Sequence, residues 1–310
     1  MSNTSLVTAR STTPDMWEGV IECIEGAQSI AISGHTNPDG DALGSGLGLG
    51  RSLAEQFPDK HVTCLLADDS DVPRIYRFLE GSDSMVPASA FEDDVDLFIS
   101  VDVPTMERLK ASADVAKRAR ARVVIDHHPT KAEFGDVTVR VTSAAATAVL
   151  VSELIETAGY PLTPRIATSL MAGLVTDTGR FSYQNANASA FSCASMLVDA
   201  GAEPARIALE VYQSQRIQYL QLESIVMSRI GTRAQGRVAF SYAYASDLQT
   251  CGEWAARSSA CSCARASPVS CAAICAQKGL SISRAWPRRI MAADMRPPRA
   301  SRSTVLSMRR

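Results

Sequence analysis

Histidine is scarce in this chain: four residues in 310. Aromatic residues contribute only 6 %. No apolar run approaches the ~20 residues that a bilayer-spanning helix needs, which excludes a helical membrane protein. The N-terminal stretch MSNTSLVTARSTTPDMW lacks the apolar core of an export signal, so a cytoplasmic setting without membrane attachment is expected. Internal repeats are also missing. What remains is ordinary: 46 % hydrophobic and 21 % charged residues, a composition that argues against wholesale disorder. The length suits two domains better than one.

The near-neutral net charge of −2 hides a break. Residues 251–310 carry 11 Lys+Arg against 2 Asp+Glu, whereas residues 1–250 carry 20 against 31. Five of the eight cysteines (Cys251, Cys261, Cys263, Cys271, Cys275) fall in that basic tail. A zinc knuckle needs four convergent ligands in paired spacing, and the tail offers one C-x-C, one C-x-x-x-C and no histidine.

Hydrophobic patterning predicts an α/β fold, a mainly parallel sheet flanked by helices, with a second, smaller C-terminal α/β domain that is incomplete. Strands are expected at Ser29–Ser33, His61–Ala67, Val95–Val103, Arg122–Asp126 and Arg237–Ala243. Helices are expected at Met16–Gln28, Asp41–Gln56, Thr147–Ala158, Pro164–Thr176, Ala188–Ala200 and Gln218–Ile230. The expected division is a catalytic domain over 1–200, a helical connector over 201–230 and a domain remnant over 231–310. After Gln249 no clear period survives.

Four motifs carry chemistry, each at the end of an expected element. His35-Thr-Asn37-Pro-Asp39-Gly-Asp41-Ala-Leu-Gly44-Ser45 follows a strand and opens a helix. In an open α/β sheet that edge is where sites form, and alternate residues there can aim Asp39 and Asp41 at two different ions. Asp102 closes the apolar strand Phe98–Val101, where a buried carboxylate without a partner would be costly. Asp126-His127-His128 closes another apolar strand. Asp177, in Thr176-Asp-Thr-Gly-Arg180, ends a helix, where an acid opposes the macrodipole and calls for a cation. Ser143 and Thr147, taken singly, read as capping residues. Three of the four histidines lie in these motifs, and His61 reads as structural. Carboxylates mixed with imidazole and no thiolate suit Mn²⁺ or Mg²⁺ better than structural Zn²⁺. Four carboxylates are too many for one catalytic ion, and a pair of ions suits in-line phosphoryl transfer to water.

The ordered set H-x-N-P-D-G-D-A-x-G-S, strand-end Asp, D-H-H and T-D-T-G resembles the DHH phosphoesterase superfamily. Within it, the chain is most similar to the oligoribonuclease/3′-phosphoadenosine 5′-phosphate (PAP) phosphatase branch, the nano-RNases, over about residues 16–245. The resemblance implies that His35 and Asp39 hold one Mn²⁺, that Asp41, His127 and Asp177 hold the other, and that Asp102 bridges them, with Mg²⁺ as the alternative ion. It places His128 against the scissile phosphate and gives Asp126 an orienting role. Asn37, Ser45, Thr147 and Arg180, within or beside the same motifs, are the expected substrate contacts. The implied substrates are short RNA and PAP, with cyclic- or linear-dinucleotide hydrolysis and an inactive metal-binding fragment as rival readings. A homodimer stays open, and the basic tail is not expected to be a nucleic-acid arm.

The family's C-terminal Gly-Gly-Gly-His…Ala-Ala-Gly motif is not written in this chain. A shift of one base restores it. Joining the third base of each codon to the next two turns Met291–Met295 into Gly-Gly-Gly-His when Ala292 and Ala293 end in G and Asp294 in C. Permitted codons from Met295 to Arg310 continue Ala-Ala-Ala-Ala-Gly-Val-Thr-Leu-Asp-Gly-Pro-Ile-Asp-Glu-Ala. Residues 251–310 are therefore expected to be an out-of-frame translation that forms no compact domain and lacks the substrate clamp. Sequencing the coding DNA across codons 240–310 checks this: those third bases should be present, and one intact frame with other bases at these codons refutes the shift.

Overall fold

The structure, a computed structural model, describes residues 9–233, 238–251 and 269–274. It divides into two units between Gln215 and Arg216, within the expected connector.

The first unit alternates strands and helices: α1 (Glu18–Gly26), β1 (Ser29–Ser33), α2 (Gly40–Gln56), β2 (His61–Leu66), β3 (Val86–Pro87), β4 (Leu97–Val101), α3 (Ser112–Arg118), β5 (Ala121–Asp126), β6 (Val137–Arg140), α4 (Thr147–Ala158), α5 (Pro164–Asp177), α6 (Ala188–Asp199) and α7 (Pro204–Ile207), which runs on as a π-helical turn through Gln213. The six strands form one parallel sheet in the order β3-β2-β1-β4-β5-β6. Its central strands are apolar on both faces because helices cover both, and every residue of β4 is buried. From β1 the chain winds to one side through β2 and β3, then crosses back to β4 and winds to the other. The strand order therefore reverses between β1 and β4, and the crevice beyond their carboxyl ends is the topological switch point. His35 follows β1 and Asp102 follows β4, so the fold delivers both to that crevice.

Helix α2 completes the crevice. It is buried along most of its length and packs antiparallel to α5, with Gly40 against Thr176, Gly44 against Gly173 and Gly48 against Leu170. A Cβ on Gly44 would lie 2.3 Å from the Ser169 carbonyl oxygen, and one on Gly173 would lie 2.9 Å from Asp41 Oδ1. Glycine lowers helix propensity, but here it lets the two backbones close until Asp41 at the start of α2 reaches Asp177 at the end of α5.

Most of the expected elements form within a residue or two of their expected bounds. Shifts of two residues fall at both ends of the first helix, where Pro14–Trp17 is a 3-10 turn leading into α1, at both ends of β4 and at the end of the helix Ile217–Ser228. The sequence pattern did not reveal β3, β6, α3 or α7. These are two to seven residues long, and β3 and β6 are edge strands with only part of their side chains buried.

The second unit contains α8 (Ile217–Ser228), β7 (Gly231–Arg233), β8 (Val238–Tyr244), α9 (Ala245–Thr250) and β9 (Val269–Ile274), with an antiparallel sheet ordered β7-β8-β9. Arg229 pairs with Asp247 and stacks over the rings of Tyr242 and Tyr244. Strand β9 falls where no period was legible. The other residues from 252 onward, including those of the restored glycine-histidine motif, lie outside the described residues. Among the described residues no helix is long and apolar enough to cross a membrane.

The glycine contact is testable. Gly44→Ala should destabilise the protein by about 1–3 kcal/mol in urea unfolding, because the obstructing atom is backbone and cannot rotate away. Gly26→Ala, with nothing within 4 Å of the new Cβ, should be neutral or better.

Candidate metal centre

Each acid at the crevice is held by a local device. Asp39 caps α2: its Oδ1 accepts from the amides of Asp41 (3.0 Å) and Ala42 (3.1 Å). Asp41 turns into the core, where it accepts the first amides of α4, Thr147 N at 2.7 Å and Ala148 N at 2.9 Å. The positive end of that helix faces its charge. The Ser45 hydroxyl adds a third bond to Asp41 at 3.2 Å. Asp102 has a left-handed backbone, φ +61°, which turns the chain at the end of β4. Its Oδ1 accepts from Thr147 Oγ1 at 3.0 Å.

These acids meet two imidazoles. His35 Nε2 lies 3.5 Å from Asp102 Oδ2 and 3.7 Å from Asp39 Oδ2. His127 Nε2 lies 3.5 Å from Asp102 Oδ1, 3.6 Å from Asp177 Oδ2 and 3.8 Å from Asp41 Oδ2. Each ring has its Nδ1 beside a backbone carbonyl, Thr36 O at 2.8 Å and Ala144 O at 3.3 Å. A carbonyl only accepts, so Nδ1 carries the proton and Nε2 is left to bind a cation. Two groups result, His35–Asp39–Asp102 and Asp41–His127–Asp177, each with ligand atoms within 4.8 Å of one another. Asp102 belongs to the first, and its second oxygen faces the second. Asp102, His127 and His128 form a third such group. His128, however, has its Nδ1 engaged with Asp126 Oδ1 at 2.8 Å, while Asp126 Oδ2 accepts from Arg140 Nε at 3.0 Å.

The electrostatics of the crevice follow from the crowding of its acids. Burial pushes Asp41 well above the ordinary carboxylate range, and the charges of Asp102 and Asp177 push it further. Burial, with Asp102 and Asp39 in support, raises Asp177 to about 6 against the attraction of His127. Burial works to lower His35, yet the bonds to Asp102 and Asp39 outweigh it and raise the ring to about 10. Burial likewise opposes the ionised forms of Asp39 and Asp126, but His35 and His128 respectively hold them below the usual range. His128 is raised in turn, chiefly by Asp126. Acids pushed up and imidazoles pulled up mark a concentration of negative charge that a divalent cation would relieve. Hard oxygen and neutral imidazole donors, three to a group, fit such an ion.

Residues 29–174 match the family described as the DHH family, N-terminal domain. The run Asp126-His127-His128 lies inside that match, at the end of β5. Over residues 29–174 the chain is similar to the DHH family. It is 31 % identical over 225 residues to the bifunctional oligoribonuclease and PAP phosphatase NrnA of Thermus thermophilus, covering 70 % of this chain and 65 % of that protein. It is 30 % identical over 190 residues to the Mycoplasma pneumoniae protein of the same name, covering 60 % of this chain and 57 % of its relative. The chain thus spans somewhat under two thirds of the length of these curated relatives. Among solved structures, an exopolyphosphatase-related protein from Bacteroides fragilis superposes with a TM-score of 0.71 at 25 % identity, over 77 % of this chain and 72 % of that one.

The DHH motif residues expected from the sequence converge, while the expected substrate contacts divide. Ser45 and Thr147 are fully buried, and their hydroxyls are bonded to Asp41 and Asp102, so neither is open to a substrate. Asn37 and Arg180 are exposed in left-handed backbone, φ +50° and +60°. Arg180 stacks over the Tyr212 ring at 4.7 Å. The Ser143 carbonyl accepts from Asn187, the residue that caps α6. His61 begins β2, at the opposite edge of the sheet. Sequence reasoning passed over two supporting residues. Asp68, beyond the end of β2, accepts from the Thr36 hydroxyl and the Asn37 amide and so anchors the His35 loop. As a strand-end carboxylate it carried the same signal as Asp102. Arg140 ends the unrecognised strand β6.

In chelator, Asp177→Asn should stabilise the protein. An acid whose folded pKa is raised contributes stability below its unfolded value near 3.8 and loses it as pH climbs through about 6. The variant should therefore exceed the parent by about 1–3 kcal/mol at pH 8 and match it at pH 3.5, as read by urea unfolding at each pH.

Proposed function

We propose that this chain is a DHH-type phosphoester hydrolase that uses two divalent metal ions, Mn²⁺ in the first place and Mg²⁺ as the alternative, on short oligoribonucleotides and on PAP. The observation that carries the reading is the position of Asp102, one carboxylate with an oxygen toward each of two imidazole–carboxylate groups. His35 and Asp39 would hold one ion, Asp41, His127 and Asp177 the other, and Asp102 both. The ions would supply an activated water and neutralise charge on the phosphoryl oxygens. The similarity to the two NrnA proteins, oligoribonucleases and PAP phosphatases by name, supports the substrate class.

The protein's own groups do the rest. Asp126 holds His128 by Nδ1, and Arg140 holds Asp126, so the ring is fixed with Nε2 as its one atom able to meet a substrate. Asp126 raises the pKa of His128 and so favours the ring with a proton on Nε2, the form that can donate to a phosphoryl or leaving-group oxygen. Ser45 and Thr147 aim carboxylates, and Asn37 and Arg180 are the exposed residues left for substrate. The setting is cytoplasmic, and a homodimer is a matter for gel filtration. Beyond residue 250 we hold to the out-of-frame reading, under which the clamp on the substrate is missing and turnover is reduced.

Purified protein with Mn²⁺ should hydrolyse a diribonucleotide and PAP. Chelator should abolish the activity, and Asp102→Ala should lower kcat/KM by about 1000-fold or more. Equal background in parent and variant would favour the inactive fragment, and preference for a cyclic dinucleotide would move the substrate assignment.

A further inference from the structure

The loop joining β4 to α3 lies against the loop that carries His35. Its 3-10 turn, Met106–Leu109, is anchored by the fully buried Leu109 and by Thr36 N donating to the Arg108 carbonyl at 2.8 Å. The Arg108 backbone is thereby tied to the loop that carries His35. Its side chain is half-buried, and Nη2 lies 3.1 Å from His35 Nδ1. That same nitrogen lies 2.8 Å from Thr36 O.

The two contacts cannot both be hydrogen bonds. A guanidinium only donates and needs a bare Nδ1, whereas a carbonyl only accepts and needs a protonated one. The shorter contact, to Thr36 O, directs the Nδ1 proton at that carbonyl. Arg108 then has no acceptor. Among the described residues no carboxylate lies within ion-pair distance of it, although four acids line the neighbouring crevice. A guanidinium that is half-buried, preorganised and unpaired is set to take an anion from outside.

We infer that Arg108 is the anion-binding residue of this site, its fork taking the non-bridging oxygens of the phosphate group that the substrate brings to the metal centre. The inference rests on the phosphoester reading above and deepens it. Lysine in its place would keep the charge and lose the fork.

Isothermal titration of Mn²⁺-loaded protein with AMP and with inorganic phosphate tests it without turnover, alongside the Mn²⁺ content of each variant. Arg108→Gln should weaken AMP by about 10- to 100-fold and bind the same amount of Mn²⁺, and Arg108→Lys should recover part of the loss. AMP affinity unchanged in Arg108→Gln, or no AMP binding by the parent, overturns the inference. So does joint loss of AMP and Mn²⁺, which would make Arg108 a support for His35 instead. If the parent turns over PAP while Arg108→Gln keeps full AMP affinity, the anion site fails and the hydrolase reading stands. If AMP binding depends on Arg108 but no Mn²⁺-dependent turnover occurs, the hydrolase reading fails and the anion site stands.

Discussion

Mutual repulsion among carboxylates governs the first unit. Asp39, Asp41, Asp102 and Asp177 come from three separate stretches of chain and meet at one end of a sheet, where two of them are almost wholly buried. Water is not there to dissipate their charge, so the fold compensates. The first amides of α2 face Asp39, those of α4 face Asp41, and two imidazoles face Asp102. The compensation is incomplete, as the raised pKa values of Asp41 and Asp177 show. Stability is given up locally where these acids crowd together.

The architecture around these acids follows from that demand. A parallel sheet with its strand order reversed between β1 and β4 opens a crevice at one edge. Glycines 44 and 173 let α2 and α5 approach until the head of one helix meets the tail of the other. An outer ring of polar residues then removes freedom from the ligands: Asp68 on the His35 loop, Ser45 on Asp41, Thr147 on Asp102 and Arg140 on Asp126. Such support fixes the orientation of the candidate ligands.

Much of this was legible beforehand. Apolar runs ending in acids or histidines marked the sheet edge, because a parallel strand is buried along its length and only its end can carry a charge. Helices α4 and α5 were legible from their spacing. Short edge elements such as β3 and β6 were not, because two to four residues hold too little pattern and their order comes from neighbours. Ser45 and Thr147 looked like substrate contacts because they sit within or beside the motifs. Their burial is a property of packing, and a string of letters does not contain it.

The linear sequence by itself settled the inventory: which acids and imidazoles exist, that they sit at element ends, and that residues after 250 depart from the pattern before them. Those follow from composition and local periodicity, which need no knowledge of distant neighbours. Only the tertiary structure decided which ligand faces which, that Asp102 stands between two groups, and that Arg108 lies against His35. Pairings between residues 60 or 100 positions apart depend on strand order and helix approach, and the energy that selects them is released only when the core is packed.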